Sequence, residues 1–263
     1  MDYSILTDIG SRRETNQDYA GTYENRAGLR ILLLADGMGG HKAGNVASKL
    51  AVEDLGKLWT ENFFDTETDK ETIESWLRSS VRKENENIAN LGKLDEYKGM
   101  GTTLEAIVLQ GSTVISAHVG DSRTYLLRDG EMRKITTDHS LVQELVDAGQ
   151  ITEEEAENHP NKNIITRSLG QTAEVHPDVF DFELHENDYL LINSDGLTNM
   201  VSEQEIQEVI ETAEASLDEK TAELVRLANH YGGADNITVI VAKFDGHEGE
   251  LTADFNEESE DTE

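Results

Sequence analysis

No cysteine occurs among the 263 residues. That absence excludes disulfides, thiolate metal ligands and every mechanism with a cysteine nucleophile. Positive charge is scarce as well: 22 Lys and Arg stand against 54 Asp and Glu, a formal net charge of −32. A surface of that sign repels nucleic acid and anionic membranes, so neither is expected as a partner, whereas cations are favoured. No apolar run approaches the ~20 residues of a membrane span. The opening MDYSILTDIG has neither a basic leader nor an apolar stretch of signal length. A soluble cytoplasmic protein is the default expectation. Nucleotide-loop signatures are missing too: the Gly-rich stretch at Gly37, Gly39 and Gly40 lacks the Gly-Lys-Ser/Thr ending of a P-loop and does not match G-x-G-x-x-G.

What is present is ordinary globular material, 37% apolar, enough for one large core or two small ones. Val46, Ala47, Leu50, Ala51, Leu55 and Leu58 recur at helical spacing, as do Ile73, Leu77, Val81 and Ile88, with the polar connector Asp65–Lys70 between them. Strands are expected next at Gly101–Gln110, Thr113–Gly120, Arg123–Arg128 and Glu131–Ile135. Their connectors are too short for crossover helices, and Asp129-Gly130 is a two-residue hairpin signal, so these strands are antiparallel. Ile31–Leu34, Tyr189–Ile192 and Asn236–Phe244 are apolar on both faces. An antiparallel strand of that kind must be covered on both. Sheet on one side and helix on the other satisfies it, the second helical layer coming from Ile206–Ile210 and Leu224–Tyr231. The expected class is α+β, a four-layer α-β-β-α sandwich of two antiparallel sheets; a parallel α/β fold fits the hairpins poorly.

Residues 1–245 are expected to form one domain. The stretch 246–263 holds eight acids and no Lys or Arg, and reads as a disordered, solvated tail. Ser140 with Gln143, and Thr152 with Glu155, have capping-box spacing. They bracket a polar segment, Gly149 to Asn163, expected to be a mobile surface flap.

Five acids lie beside glycine or asparagine at the ends of apolar strands: Asp18, Asp36, Asp121, Asp195 and Asp235. For any one of them, turn chemistry with the acid capping its own backbone is the simpler reading. Asp129 is such a turn. Four strands ending abruptly in Asp after an apolar run are harder to dismiss, because convergent carboxylates repel unless cations neutralise them. All-oxygen ligands suit magnesium or manganese. Zinc would want histidine or cysteine, and none of the eight histidines forms an HxH or HExxH pattern.

The sequence then carries R-x-x-N-x-D at Arg13, Asn16 and Asp18, followed by DGMGGHKAG, MGTT, GDSR, TDHS, RSLG, SDGL and GGADNIT. In order and spacing these eight motifs resemble the bacterial type 2C metal-dependent serine/threonine protein phosphatases, from about Thr7 to Phe244. The resemblance implies the same α-β-β-α sandwich and two or three Mn2+ or Mg2+ ions per chain. Asp36 would bridge two of them, with the Gly37 carbonyl, Asp18, Asp195 and Asp235 completing the pair. Asp121 would hold a third, with Asp195 assisting. Arg13 would grip the substrate phosphate and His41 would be the candidate general acid. The implied reaction is hydrolysis of phosphoserine and phosphothreonine in proteins by a metal-activated water. The implied partners are phosphorylated proteins and a cognate serine/threonine kinase that the enzyme reverses. A monomer is expected. The alternative, a non-catalytic pseudophosphatase that only binds partners, should lack a metal ligand, and here each such position is filled.

Overall fold

Along β3 (Arg30–Met38), Ile31, Leu33 and Ala35 point into one hydrophobic core and Leu32 and Leu34 into another. The strand apolar on both faces is therefore covered on both. The computed structural model describes residues 1–40, 43–172 and 174–246. His41 and the acidic tail beyond residue 246 lie outside the described residues.

One sheet has five strands in the order β1 (Asp2–Asp8), β11 (Ile237–Lys243), β10 (Tyr189–Asn193), β7 (Arg123–Arg128) and β8 (Glu131–Lys134). The other runs β2 (Asp18–Glu24), β3, β5 (Leu104–Gln110), β6 (Thr113–Val119) and β9 (Asp178–Glu183), with the two-residue β4 (Gly101–Thr102) paired to the end of β3. Every pairing is antiparallel. Helices α1 (Ala43–Thr60) and α2 (Lys70–Leu91) cover the second sheet, burying Ala47, Leu55, Trp59, Leu77 and Val81 against it. The first sheet is covered by α5 (Asp195–Thr198), α6 (Glu203–Ile210) and α7 (Leu217–His230), through Ile206, Ile210, Leu224 and Ala228. Between the sheets lie Leu32, Leu34, Ile107, Val114, Leu190, Ile192 and Ile240. Three interlayer cores make four layers, as the strand pattern requires. Each such Leu or Ile contributes roughly 1.5–3 kcal/mol of transfer free energy when fully buried.

Local chemistry fixes the turns. Asp129 and Gly130 both have positive φ, 52° and 79°, the geometry of a type I′ hairpin. Ser140 accepts from the Gln143 N–H, but Gln143 turns its amide to Asp147, so this is a simple N-cap and not a reciprocal box. Thr152 and Glu155 form the full box. So do Ser202 with Glu205 and Ser216 with Glu219, at the starts of α6 and α7.

Two boundaries differ from expectation in ways that matter to the site. β3 does not stop before Asp36 but runs on to Met38, because β4 pairs Gly37 with Thr102 and Met38 with Gly101. The expected strand Gly101–Gln110 breaks at Thr103, whose hydroxyl accepts the Asp36 N–H at 2.8 Å. The polar segment 149–163 lies within a longer excursion from the sheets. Its neck is closed by Leu141 N–H to Ile164 O (2.9 Å) and Thr166 N–H to His139 O (2.8 Å). It thus includes α3 (Leu141–Asp147) as well as α4 (Glu153–Glu157), neither of which buries a side chain.

Candidate metal centre and active site

The antiparallel register sets Asp18, the first residue of β2, directly across from Asp36 on β3. Side chains of such a pair share a face with their Cβ atoms about 4.5–5.5 Å apart. The other three acids arrive from the ends of different strands. Asp121 follows β6, Asp195 opens α5 after β10, and Asp235 precedes β11. Arg13, Asp36, Gly37, Asp121, Asp195 and Asp235 all line one cavity of about 440 Å³. Asp18 lies beneath its floor, 4% exposed. Turn chemistry does not account for Asp36: its N–H goes to the Thr103 hydroxyl and its carbonyl receives the Thr103 N–H and the Thr102 hydroxyl.

Close backbone approach explains part of the glycine richness. A Cβ on Gly37 would stand 2.2 Å from the Gly44 carbonyl oxygen, so α1 could not begin against β3 with any larger residue there. Gly37 is a packing requirement and also lines the cavity.

Electrostatics distinguishes this cluster from surface acids. Burial, with repulsion from Asp195, overcomes the hydrogen bond from Ser194 and lifts Asp18 to about 7. Asp36 is held well above the ordinary carboxylate range by burial and then by the charges of Asp18, Asp195, Asp121 and Asp235. Burial, then Asp195 and Asp138, raise Asp121 to about 8. Burial and Asp235 raise Asp195 to about 6, with Arg123 and Arg13 pulling the other way. Four buried carboxylates that all resist ionisation in one another's company need an external positive charge.

A divalent cation fits. Oδ1 of Asp18, of Asp121 and of Asp195 is buried without a hydrogen-bond partner, an arrangement that is costly unless a ligand takes the lone pairs. The opposite oxygens are held in place: Ser194 donates to Asp18 at 2.7 Å and Asn199 to Asp195 at 2.8 Å. Among the described residues no three carboxylate, histidine or cysteine side chains are grouped so as to hold a metal ion by themselves.

Arg13 lines the same cavity, but on the loop 9–17 between β1 and β2, and not on a strand. Its guanidinium bonds Asp235 at 2.6 Å, with both side chains partly exposed. Lys162, Asn163 and Ile165 also line this cavity. The position of His41 lies outside the described residues.

Some supporting residues carried no clear signal in the sequence. Glu105 and His118, directly opposed in the β5–β6 register and fully buried, form an ion pair between the sheets. Thr124 donates to Glu105 at 2.9 Å from the other sheet. Burial raises Glu105; burial opposes the charged His118, but Glu105 outweighs it and leaves His118 raised. The His139 ring lies 4.5 Å from that of His118 and accepts the Gly120 N–H at 3.0 Å. Burial, then the charge of His118, lowers His139 to about 4, so the ring is a neutral acceptor that ties down the turn before Asp121. TDHS stood out as a motif, yet nothing in its spacing revealed that contact.

Comparison with known proteins agrees with this geometry. A family model described as protein phosphatase 2C matches residues 10–232. The chain is 49% identical over 250 residues to protein phosphatase PhpP of Streptococcus pneumoniae, covering 95% of this chain and 100% of the relative. It superposes with a TM-score of 0.89 on the serine/threonine phosphatase of S. agalactiae, 52% identical, with 93% and 99% of the two chains covered. The catalytic domain of the serine/threonine protein phosphatase PstP, solved in complex with two manganese ions, gives a TM-score of 0.79 at 39% identity, covering 93% and 98%. With eight motifs in order, a four-layer sandwich and an acid-lined cavity at one end of its sheets, the chain belongs to the protein phosphatase 2C family.

Proposed function

We propose that the chain hydrolyses phosphoserine and phosphothreonine in proteins, with two manganese or magnesium ions held among Asp18, Asp36, the Gly37 carbonyl, Asp195 and Asp235. A third would be held at Asp121 with help from Asp195. The observation that carries this reading is the set of buried, unpartnered carboxylate oxygens on Asp18, Asp121 and Asp195. When bound, the cations supply charge neutralisation and an activated water for in-line attack at phosphorus.

The chain's own residues do the rest. Arg13 has five guanidinium donors and uses one on Asp235, so its fork retains donors for two phosphate oxygens. It binds and orients the phosphate and offsets charge on the equatorial oxygens in the transition state. Asn199 and Ser194 keep Asp195 and Asp18 in one orientation. The flap, through Lys162 and Asn163 at the rim, contacts the protein part of the substrate and restricts water. His41, which follows Gly40 in the sequence, would protonate the departing alkoxide; such general-acid help is worth roughly 10²–10⁴-fold.

In the same reading residues 1–245 are the catalytic unit, acting as a monomer in the cytoplasm and reversing a serine/threonine kinase. Among the described residues no helix is long and apolar enough to cross a membrane. A non-catalytic binding module finds no support, since each expected ligand position carries its acid and the relatives bear the names of serine/threonine phosphatases. Hydrolysis of a phosphothreonine peptide and of para-nitrophenyl phosphate, with manganese, magnesium or chelator, tests the proposal. Turnover should require the cation; full turnover in excess chelator with no metal by elemental analysis would contradict it.

A further inference from the structure

Arg13 must be held at the cavity to grip a phosphate, yet it sits on a loop with no regular structure. Its tip, Arg13 and Glu14, makes no backbone hydrogen bond among the described residues. The position of the guanidinium therefore depends on how the loop's ends are tied.

Asn236 ties them. It is 5% exposed, one residue beyond Asp235 and one before β11. Its Oδ1 accepts the Gln17 N–H at 2.8 Å, and its Nδ2 donates to the carbonyls of Ile9 (2.9 Å) and Thr15 (3.0 Å). Those three groups are the entrance, far shoulder and exit of the Arg13 loop. The Gln17 carbonyl in turn receives the Gly37 N–H at 3.1 Å and the Ser48 hydroxyl at 2.5 Å. One amide thus joins the Arg13 loop to the end of β3. Its own backbone has little room to shift, because a Cβ on Gly196 would stand 1.9 Å from the Asn236 carbonyl oxygen. A residue that merely opened a strand would need none of this. Only a primary amide of this length supplies one acceptor and two donors there; a carboxylate accepts only, and a hydroxyl is too short to reach both carbonyls.

We propose that Asn236 is a positioning residue for substrate phosphate: it sets where Arg13 stands relative to Asp36, Gly37 and Asp235. The inference rests on the reading of Arg13 as the phosphate grip. Asp235 and Asn236 then divide the work of adjacent positions, one toward the cation and the other toward the loop that receives the anion.

The test compares Asn236→Ala, Asn236→Asp, Arg13→Ala and Arg13→Ala/Asn236→Ala in the full chain. Three readouts are needed: the inhibition constant of inorganic phosphate, KM and kcat for a phosphothreonine peptide, and manganese affinity by calorimetry. Asn236→Asp keeps the shape, loses both donors and sets a carboxylate oxygen against the Ile9 and Thr15 carbonyls, so it breaks the same ties by a second route should the alanine variant fold poorly. Both Asn236 variants should raise the phosphate inhibition constant and KM by about tenfold, with kcat changed less and manganese affinity within about twofold. The double variant should bind phosphate no worse than Arg13→Ala alone, because the second change acts only through the first. Losses that add, a fall in manganese affinity with phosphate inhibition intact, or a silent Asn236 beside an effective Arg13→Ala would each overturn the inference alone. A silent Arg13→Ala would overturn the Arg13 reading and this inference with it.

Discussion

Asp18 and Asp36 are direct partners in the β2–β3 ladder, two carboxylates on the same face of neighbouring strands in a buried setting. Like charges so placed destabilise a sheet. No folding requirement selects that pair; under the proposed function a bound cation would.

Asp36→Asn should accordingly raise the melting temperature of the chelated protein while abolishing manganese binding and turnover. Relief of about 1 kcal/mol would appear as roughly 2–4 °C in a chain of this size. Calorimetry in chelator checks it. A lower melting temperature would mean that Asp36 is a structural carboxylate.

Asp121 is the outlying acid, 8% exposed, with Oδ1 unpartnered. Asp121→Ala should impair turnover while the Asp18–Asp36 ions stay bound. Three manganese ions in crystals of the variant, with unchanged kinetics, would remove Asp121 from the metal site.

Glu84 offers a pH test away from the site. It is 1% exposed on α2, with Oε2 bonded to Asn87 and Oε1 unpartnered. Burial, helped by the charge of Asp54, raises it from 4.5 to about 7. The folded chain holds this proton more tightly than the unfolded chain. That contribution is complete below about pH 4.5 and is lost as the pH rises through about 7. Glu84→Gln should therefore match the parent near pH 4 and exceed it near pH 8, by on the order of 3 kcal/mol. Urea titrations at the two pH values decide it; equal differences at both would show that Glu84 stays ionised in the fold.

The flap should matter to large substrates only. Lys162→Ala is expected to lower turnover of a phosphoprotein severalfold and to leave para-nitrophenyl phosphate nearly unchanged. Equal losses on both would make Lys162 part of the phosphate site itself. Deletion after Asp245 should alter neither melting temperature nor small-substrate kinetics.

Much of this was legible in the residues. Strands apolar on both faces implied four layers, and Asp129-Gly130 implied an antiparallel hairpin, because both signals are local. The five acids were legible as a group since each lies beside an apolar strand. Asp36 was misplaced at a strand end because the pairing that extends β3 comes from Gly101 and Thr102, far along the chain. Arg12 and Arg13 occupy the loop pinned by Asn236 and Gly233. That arrangement depends on tertiary hydrogen bonds that no periodicity encodes. The Glu105–His118 pair was invisible for the same reason: its members lie on different strands and satisfy each other out of solvent. The Ser202 and Ser216 caps are a different matter, since their S-x-x-E spacing was there to be seen.

The central claim is that the clustered carboxylates hold divalent cations. Anomalous scattering from crystals soaked in manganese tests it most directly. Two peaks among Asp18, Asp36, the Gly37 carbonyl, Asp195 and Asp235, with a weaker third at Asp121, are the predicted result. A fully soaked crystal with no peak within bonding distance of Asp36 would contradict it.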